Sequence, residues 1–152
     1  MDCKYVRESF CIRFKFHPRS TSLFSLVHYK NRLRILQENL YTGLLINYFP
    51  VPLKLQSLDV DNYILNYNED LRLIILTLSN YVVIYSIDKK TLELVAEAQG
   101  KNPYYILKTV TKDKYLYFSC TEQKNLYAIN LEECIKQGTI NNYIKYKLSS
   151  EV

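Results

Sequence analysis

The sequence predicts an all-β protein built from four-stranded antiparallel sheets, and composition, run length and spacing are the reasons. Of the 152 residues, 48% are hydrophobic and 14% are aromatic, with fifteen tyrosines against three glycines. Short apolar runs, rich in Val, Ile, Leu, Tyr and Phe, alternate with polar turns along the chain. Runs of roughly five to eight residues with this composition are typical of antiparallel strands.

Twelve such runs are present, and they form three groups of four. The runs are 11–18, 22–28, 32–36 and 43–49 in the first group, 62–67, 71–78, 81–87 and 92–98 in the second, and 104–110, 115–120, 125–130 and 143–148 in the third. The second run of each group is the most continuously apolar, which predicts a strand buried on both faces. The fourth runs of the second and third groups alternate polar with apolar residues, so we expect solvent-facing edge strands there. The charges of those edges are Glu93, Glu97, Lys145 and Lys147.

The three groups repeat at a regular distance. The first runs end at Phe16, Tyr67 and Val110, at intervals of 51 and 43 residues. A four-stranded unit with a period of about 40 to 45 residues is the pattern of a β-propeller blade. We therefore expect blades over 11–49, 62–98 and 104–148 in a single domain spanning 1–152, with an insertion lengthening the first interval. The run 130–138 has two interpretations, one helical turn ended by Gly138 and a loop between the last two strands, and the loop is the expected one.

Several segments resemble the WD40 repeat family over about residues 11 to 148. Phe14-Lys15-Phe16-His17-Pro18 is similar to the V-x-F-H-P opening of that repeat, and 32–37 stands where the family has its I-R-I-W-D strand. Residues 82–87 and 126–131 occupy the same place in the later groups. No group keeps the Trp-Asp or Gly-His pair, and the family's hydrogen-bonded tetrad cannot be assembled. The resemblance implies degenerate WD40-like blades and a role as an assembly platform.

Three blades would form an incomplete propeller, because propellers close with roughly four to eight. An open stack leaves two terminal faces uncovered, and we expect those faces to carry Phe24, Leu26, Phe118 and Tyr127. The chain would then pair into a six-bladed ring, be completed by blades of another protein, or be a fragment of a longer product. A compact β-sandwich or barrel is the alternative fold.

The net charge of +5 lies in the first part of the chain. Residues 1–60 hold nine Lys or Arg against four acids, whereas residues 61–152 hold eleven of each sign. Arginine presents a bidentate fork to phosphate or carboxylate. The candidate residues for binding a partner or RNA are Arg13, Lys15, Arg19, Lys30, Arg32 and Arg34. A solvated basic face with no partner is the alternative interpretation.

Motifs that carry chemistry are absent from the sequence. The three glycines are too scattered for a phosphate loop, and no metalloprotease, hydrolase or EF-hand motif occurs. His17 and His28 are eleven residues apart with no cysteine at ligand spacing, and Cys3, Cys11, Cys120 and Cys134 form no CxxC pair. We therefore expect a protein that is not an enzyme, with reduced cysteines, no metal, no cofactor and no small-molecule substrate.

No apolar run approaches the roughly 18 residues that a membrane span requires, and the first residues lack the apolar segment of a secretory signal. These features predict an intracellular protein, cytoplasmic or nuclear, without a membrane partner. Two functions remain open. The first is a non-catalytic protein–protein interaction scaffold within a multiprotein complex. The alternative is an RNA-contacting, non-catalytic subunit of an RNA-processing or RNA-modifying complex.

Overall fold

The structure is a computed structural model that describes residues 9–16, 22–29, 32–56, 63–78, 81–89, 91–97, 106–120, 125–140 and 143–147. It is an all-β protein with three four-stranded antiparallel sheets, which confirms the predicted class. The chain divides into two compact units, Met1–Val60 and Asp61–Val152. No helix in the part of the chain that the structure describes is long and apolar enough to cross a membrane. The prediction that residues 1–152 form a single domain stays a prediction.

The first unit contains one sheet, in which each strand pairs with the next one along the chain. Its strands are β1 (Ser9–Phe16), β2 (Ser22–Tyr29), β3 (Arg32–Asn39) and β4 (Leu45–Pro50). A single 3₁₀ turn, Leu53–Leu55, follows β4. Phe24 and Leu26 of β2 are 1% and 0% exposed, so the expectation that they line an uncovered face is wrong. Both side chains lie on the face of the sheet that also buries Ile35 and Phe49.

The second sheet begins the second unit, and its two central strands are buried on both faces. Its strands are β5 (Tyr63–Asn68), β6 (Leu73–Leu78), β7 (Tyr81–Ser86) and β8 (Glu93–Glu97). Every residue of β6 is fully buried, which confirms the burial expected from its continuous apolar run. In β8, Leu94 is buried and Glu93 is exposed, as expected of an edge strand.

The third sheet completes the second unit and carries a short helix. Its strands are β9 (Ile106–Lys112), β10 (Tyr115–Cys120), β11 (Asn125–Asn130) and β12 (Tyr143–Lys147). A helix, α1 (Leu131–Gln137), lies between β11 and β12, so the loop expected over 130–138 is wrong and the helical alternative ended by Gly138 is confirmed. Local signals explain this helix: the side chain of Asn130 accepts a hydrogen bond from the backbone N–H of Glu133, and Gly138 ends the helix at φ 70°.

The second and third sheets pack face to face around one apolar core. That core joins Ile75 and Ile84 of the second sheet to Leu116, Phe118 and Ile129 of the third. Burial of this apolar area is the main force that holds the two sheets together.

Polar contacts join the first strands of these two sheets, β5 and β9. The side-chain amide of Asn66 donates to the hydroxyl of Thr109, and the Thr111 hydroxyl donates to the backbone carbonyl of Tyr67 at 3.4 Å. Asn68, which is 2% exposed, donates to the backbone carbonyl of Asp113 at 2.7 Å. The two sheets are therefore held in one register along their first strands as well as by apolar packing.

Candidate functional site

Two of the six predicted basic residues lie close together and have side chains that the structure describes. Arg32 and Arg34 lie two positions apart on β3, Arg32 being exposed and Arg34 half-buried. Arg13 and Lys15 lie on β1, which β2 separates from β3. Arg19 and Lys30 lie outside the described residues. The candidate site therefore centres on the β3–β4 side of the first sheet.

A cation–π contact fixes Arg34 at this side of the sheet. Its guanidinium carbon lies 5.5 Å from the centre of the Tyr48 ring on β4. Contacts of this kind stabilise by about 0.5–1 kcal/mol at exposed sites. Tyr48 is 54% exposed and lies opposite the buried Leu36 in the strand pairing. A cationic group and an open aromatic ring are thus held next to each other at the end of the sheet.

Exposed apolar side chains are concentrated around β4. Among the residues whose side-chain burial the structure describes, seven large hydrophobic residues are exposed, and six of them fall between positions 40 and 53. These six are Leu40, Tyr41, Leu44, Ile46, Tyr48 and Leu53, and the seventh is Val110. Contiguous exposed apolar surface commonly marks an interaction site. We call Arg34, Leu44, Ile46 and Tyr48 the β4 edge.

An ordered turn places β4 beside β3. The side-chain oxygen of Asn39 accepts hydrogen bonds from the backbone N–H groups of Tyr41 and Thr42, at 2.9 and 3.0 Å. Gly43 adopts φ 68°, which favours glycine, and its N–H donates to the Asn39 carbonyl at 2.8 Å. The Asn39 N–H donates to the Leu44 carbonyl at 2.8 Å. The turn therefore fixes the strand on which Ile46 and Tyr48 are displayed.

Gln56 holds the backbone between the two arginines. Its side-chain oxygen accepts from the Leu33 N–H at 2.7 Å, and its amide nitrogen donates to the carbonyls of Leu33 and Val51 at 3.1 and 2.9 Å. The side-chain amide of Gln56 thus donates and accepts hydrogen bonds as a backbone peptide group does, and it extends the pattern of hydrogen bonds between β3 and β4. Sequence reasoning missed this residue, because no local pattern links positions 23 residues apart.

Replacing Gln56 with glutamate is expected to destabilise the first unit. A carboxylate still accepts from Leu33 but no longer donates to the two carbonyls, so we expect a loss of about 1–3 kcal/mol in the free energy of unfolding. Urea denaturation of the intact chain measures this loss. Tyr41→Ala, at an 82% exposed position in the same unit, is the control. Equal stabilities of the two variants would contradict the assigned contacts.

The third sheet has a second partly open apolar surface. The strand pairing puts Leu116 and Phe118 on one face and Val110, Tyr117 and Leu126 on the other. Phe118 is 1% exposed and stacks on Tyr127, with 5.1 Å between the ring centres, so the expectation that these two rings lie on an uncovered face is wrong. We call the opposite face, where Val110 is 59% exposed, the outer face of the third sheet.

Local contacts and burial shift the pKa of several titratable groups that the structure describes. Glu132 pairs with Lys114 at 2.6 Å, and this hydrogen bond lowers the pKa of the Glu132 carboxyl. Burial raises the pKa of the Cys134 thiol to about 11, so this cysteine is a neutral thiol at neutral pH. No cluster of three or more His, Cys, Asp or Glu side chains that could hold a metal occurs among the described residues. His17 lies outside them.

Comparison of the chain with protein-family models gives no match, and comparison with curated proteins gives no relative. The resemblance to the WD40 family therefore stays a prediction. The β4 edge and the outer face of the third sheet remain the two surfaces on which a function can be argued. Both surfaces carry apolar side chains. The β4 edge lies at the border of the first sheet, and the outer face lies at the border of the pair formed by the second and third sheets.

Proposed function

We propose that this chain is a non-catalytic protein–protein interaction scaffold that works as a subunit of a multiprotein complex. One observation carries the proposal: of the seven large hydrophobic side chains that are exposed among those whose burial the structure describes, six lie in one segment, around β4. An exposed apolar cluster of this kind is costly for an isolated protein and favours burial against a partner. The proposed role does not need a reactive group.

We further propose that the three sheets are WD40-like propeller blades. Three features support this: each sheet is a four-stranded meander, the central strands of the second sheet are buried on both faces, and the second and third sheets meet along their first strands. In a propeller, every blade packs its faces against its two neighbours. The outer face of the third sheet would then take a further blade from a partner protein.

Quantitative capture of proteins from a lysate of the source organism tests the proposal. The intact chain is compared with Ile46→Lys on the β4 edge, Val110→Lys on the outer face, and Thr91→Lys at an exposed polar position. A lysine on an apolar contact surface must be desolvated on binding, so we expect recovery of specific proteins to fall about tenfold or more for the first or second variant. Thr91→Lys should retain recovery. Equal recovery by all variants would contradict the proposal.

The alternative function, an RNA-contacting subunit, gives a different result in the same experiment. Phosphate contacts release counterions, so recovery through RNA falls steeply with salt, whereas burial of apolar surface is little weakened. Arg32→Ala combined with Arg34→Ala would reduce RNA retention and flatten the salt dependence. Recovery that disappears after ribonuclease treatment would replace the scaffold proposal with the RNA one.

A further inference from the structure

The outer side of β4 is open within the part of the chain that the structure describes. β4 is the last strand of its sheet, and no described strand pairs with its outer side. The Val51 N–H, one residue after β4, donates to the Leu33 carbonyl at 3.3 Å. In an antiparallel pair, every second residue directs its backbone N–H and carbonyl toward the neighbouring strand, so counting back from Val51 gives the residues of β4 that face β3. By this alternation the N–H and carbonyl of Tyr48 point away from the sheet.

β4 also lacks the charges that normally protect an edge strand. The fourth strands of the other two sheets carry Glu93 and Glu97 in β8 and Lys145 and Lys147 in β12. The sequence of β4, LINYFP, contains no charged residue, and its proline is at the last position. Charges and prolines in edge strands prevent the addition of further strands. The middle of β4, at Ile46 and Tyr48, is therefore suited to strand addition.

The charge around β4 indicates what kind of strand would bind. Arg32 and Arg34 lie on the neighbouring strand, and Arg34 reaches the ring of Tyr48. Glu38 is the sole acidic residue among the described residues of the first unit, and it lies at the far end of β3. A bound segment would thus meet two guanidinium groups at one end of β4. Guanidinium groups form short, charge-assisted hydrogen bonds with carboxylates, which are the anionic groups of a protein segment.

We infer that β4 binds an extended segment of a partner protein as a fifth strand, and that this segment carries acidic residues near Arg32 and Arg34. Main-chain hydrogen bonds to β4 give the affinity, while Ile46 and Tyr48 contact alternate apolar side chains of the segment. This inference rests on the proposed function. It specifies the chemistry of the partner at the β4 edge, which is one of the two surfaces proposed to bind other proteins.

Selection of displayed peptides tests the inference with a defined probe. A library of random peptides of roughly twelve residues, long enough to span a strand, is selected on the intact chain. We expect the selected peptides to alternate apolar residues and to contain an excess of Asp and Glu. Their affinity should fall about tenfold for Ile46→Lys and for Arg32→Gln with Arg34→Gln. The matched controls are Val110→Lys, and Lys89→Gln with Lys112→Gln.

Backbone methylation then distinguishes strand addition from a contact made by side chains alone. Two versions of one selected peptide are N-methylated at alternate residues, one on each edge of the extended peptide. Only one edge bonds to β4, so we expect one version to lose about tenfold or more in affinity and the other to lose little. Equal affinities, peptides without an acidic excess, or peptides insensitive to Ile46→Lys would overturn the inference.

The two proposals fail in different ways. If no peptide is selected, or none binds at β4, strand addition is wrong, and the capture experiment still decides whether the chain is a scaffold through Val110→Lys. A short single-stranded RNA that competes with the selected peptides and loses affinity steeply with salt would assign the edge to nucleic acid instead. Light scattering and circular dichroism of each variant confirm that the fold is retained.

Discussion

Replacing Phe118 with alanine is expected to lower the free energy of unfolding of the second unit by about 3–5 kcal/mol. The ring is 1% exposed and lies in the core between the second and third sheets, where it contacts Tyr127 in a stacked arrangement. Truncation leaves a cavity in addition to the lost transfer free energy. Urea denaturation of the intact chain, followed by circular dichroism, measures the loss.

Tyr117, the residue before Phe118 in β10, is a matched control for the placement of these two rings on opposite faces of the third sheet. Tyr117 is also an aromatic residue of β10, but it is half-buried and lies on the outer face of the third sheet. We expect Tyr117→Ala to cost about 1–2 kcal/mol, since less apolar area leaves contact with the protein. A larger loss for Tyr117→Ala than for Phe118→Ala would contradict the placement of Phe118 on the buried face and of Tyr117 on the outer face of this sheet.

Replacing Asn68 with aspartate is expected to destabilise the same unit by about 2–4 kcal/mol at neutral pH. Asn68 is 2% exposed; its side-chain oxygen accepts from the Leu71 N–H at 2.9 Å, and its amide nitrogen donates to the Asp113 carbonyl at 2.7 Å. Aspartate keeps the first bond. Its second oxygen has no proton to donate when ionised, and it places a buried negative charge against a carbonyl oxygen.

The loss should depend on pH in a defined direction. Burial raises the folded-state pKa of the introduced carboxyl above its unfolded value, so the penalty grows as pH rises above the unfolded pKa of about 3.9. The variant is therefore expected to be closer to the parent chain near about pH 4 than near about pH 7. Asp70→Asn, at an exposed position of the adjacent turn, is the control. A deficit that does not change with pH would contradict the assigned contact of Asn68.

Much of the secondary structure follows from the sequence. The predicted run 71–78 contains β6, and its continuous apolar residues correspond to complete burial of the strand. The helix α1 is the exception. Its cap at Asn130 and its stop at Gly138 are visible in the sequence, but a run of seven residues between two strands fits a loop as well as a helical turn. Short helices are hard to predict because their stability comes from packing, here of Leu131 and Cys134 in the core.

The candidate site was predicted only in part. The arginine-rich first third of the chain indicates Arg32 and Arg34, and the structure places Arg34 over the exposed ring of Tyr48 on β4, with Arg32 two positions away on the same strand. The pattern of β4 itself did not distinguish Ile46 and Tyr48 from core residues, because an apolar run looks the same whether its strand is covered or not. The sequence analysis expects Phe118 on an open face for a related reason: adjacent strand residues point to opposite faces, and the sequence alone does not fix which face is covered.

The order of apolar and polar residues by itself determined that this chain forms four-stranded antiparallel sheets, because strand formation follows from patterns over a few neighbouring residues. Only the tertiary structure decided which faces are buried, which strand edge has no described neighbour, and that Gln56 and Asn68 complete hydrogen bonds across 23 and 45 residues. Those features depend on contacts between segments distant in the chain, and their free energy is set by the packing of one strand or sheet on another.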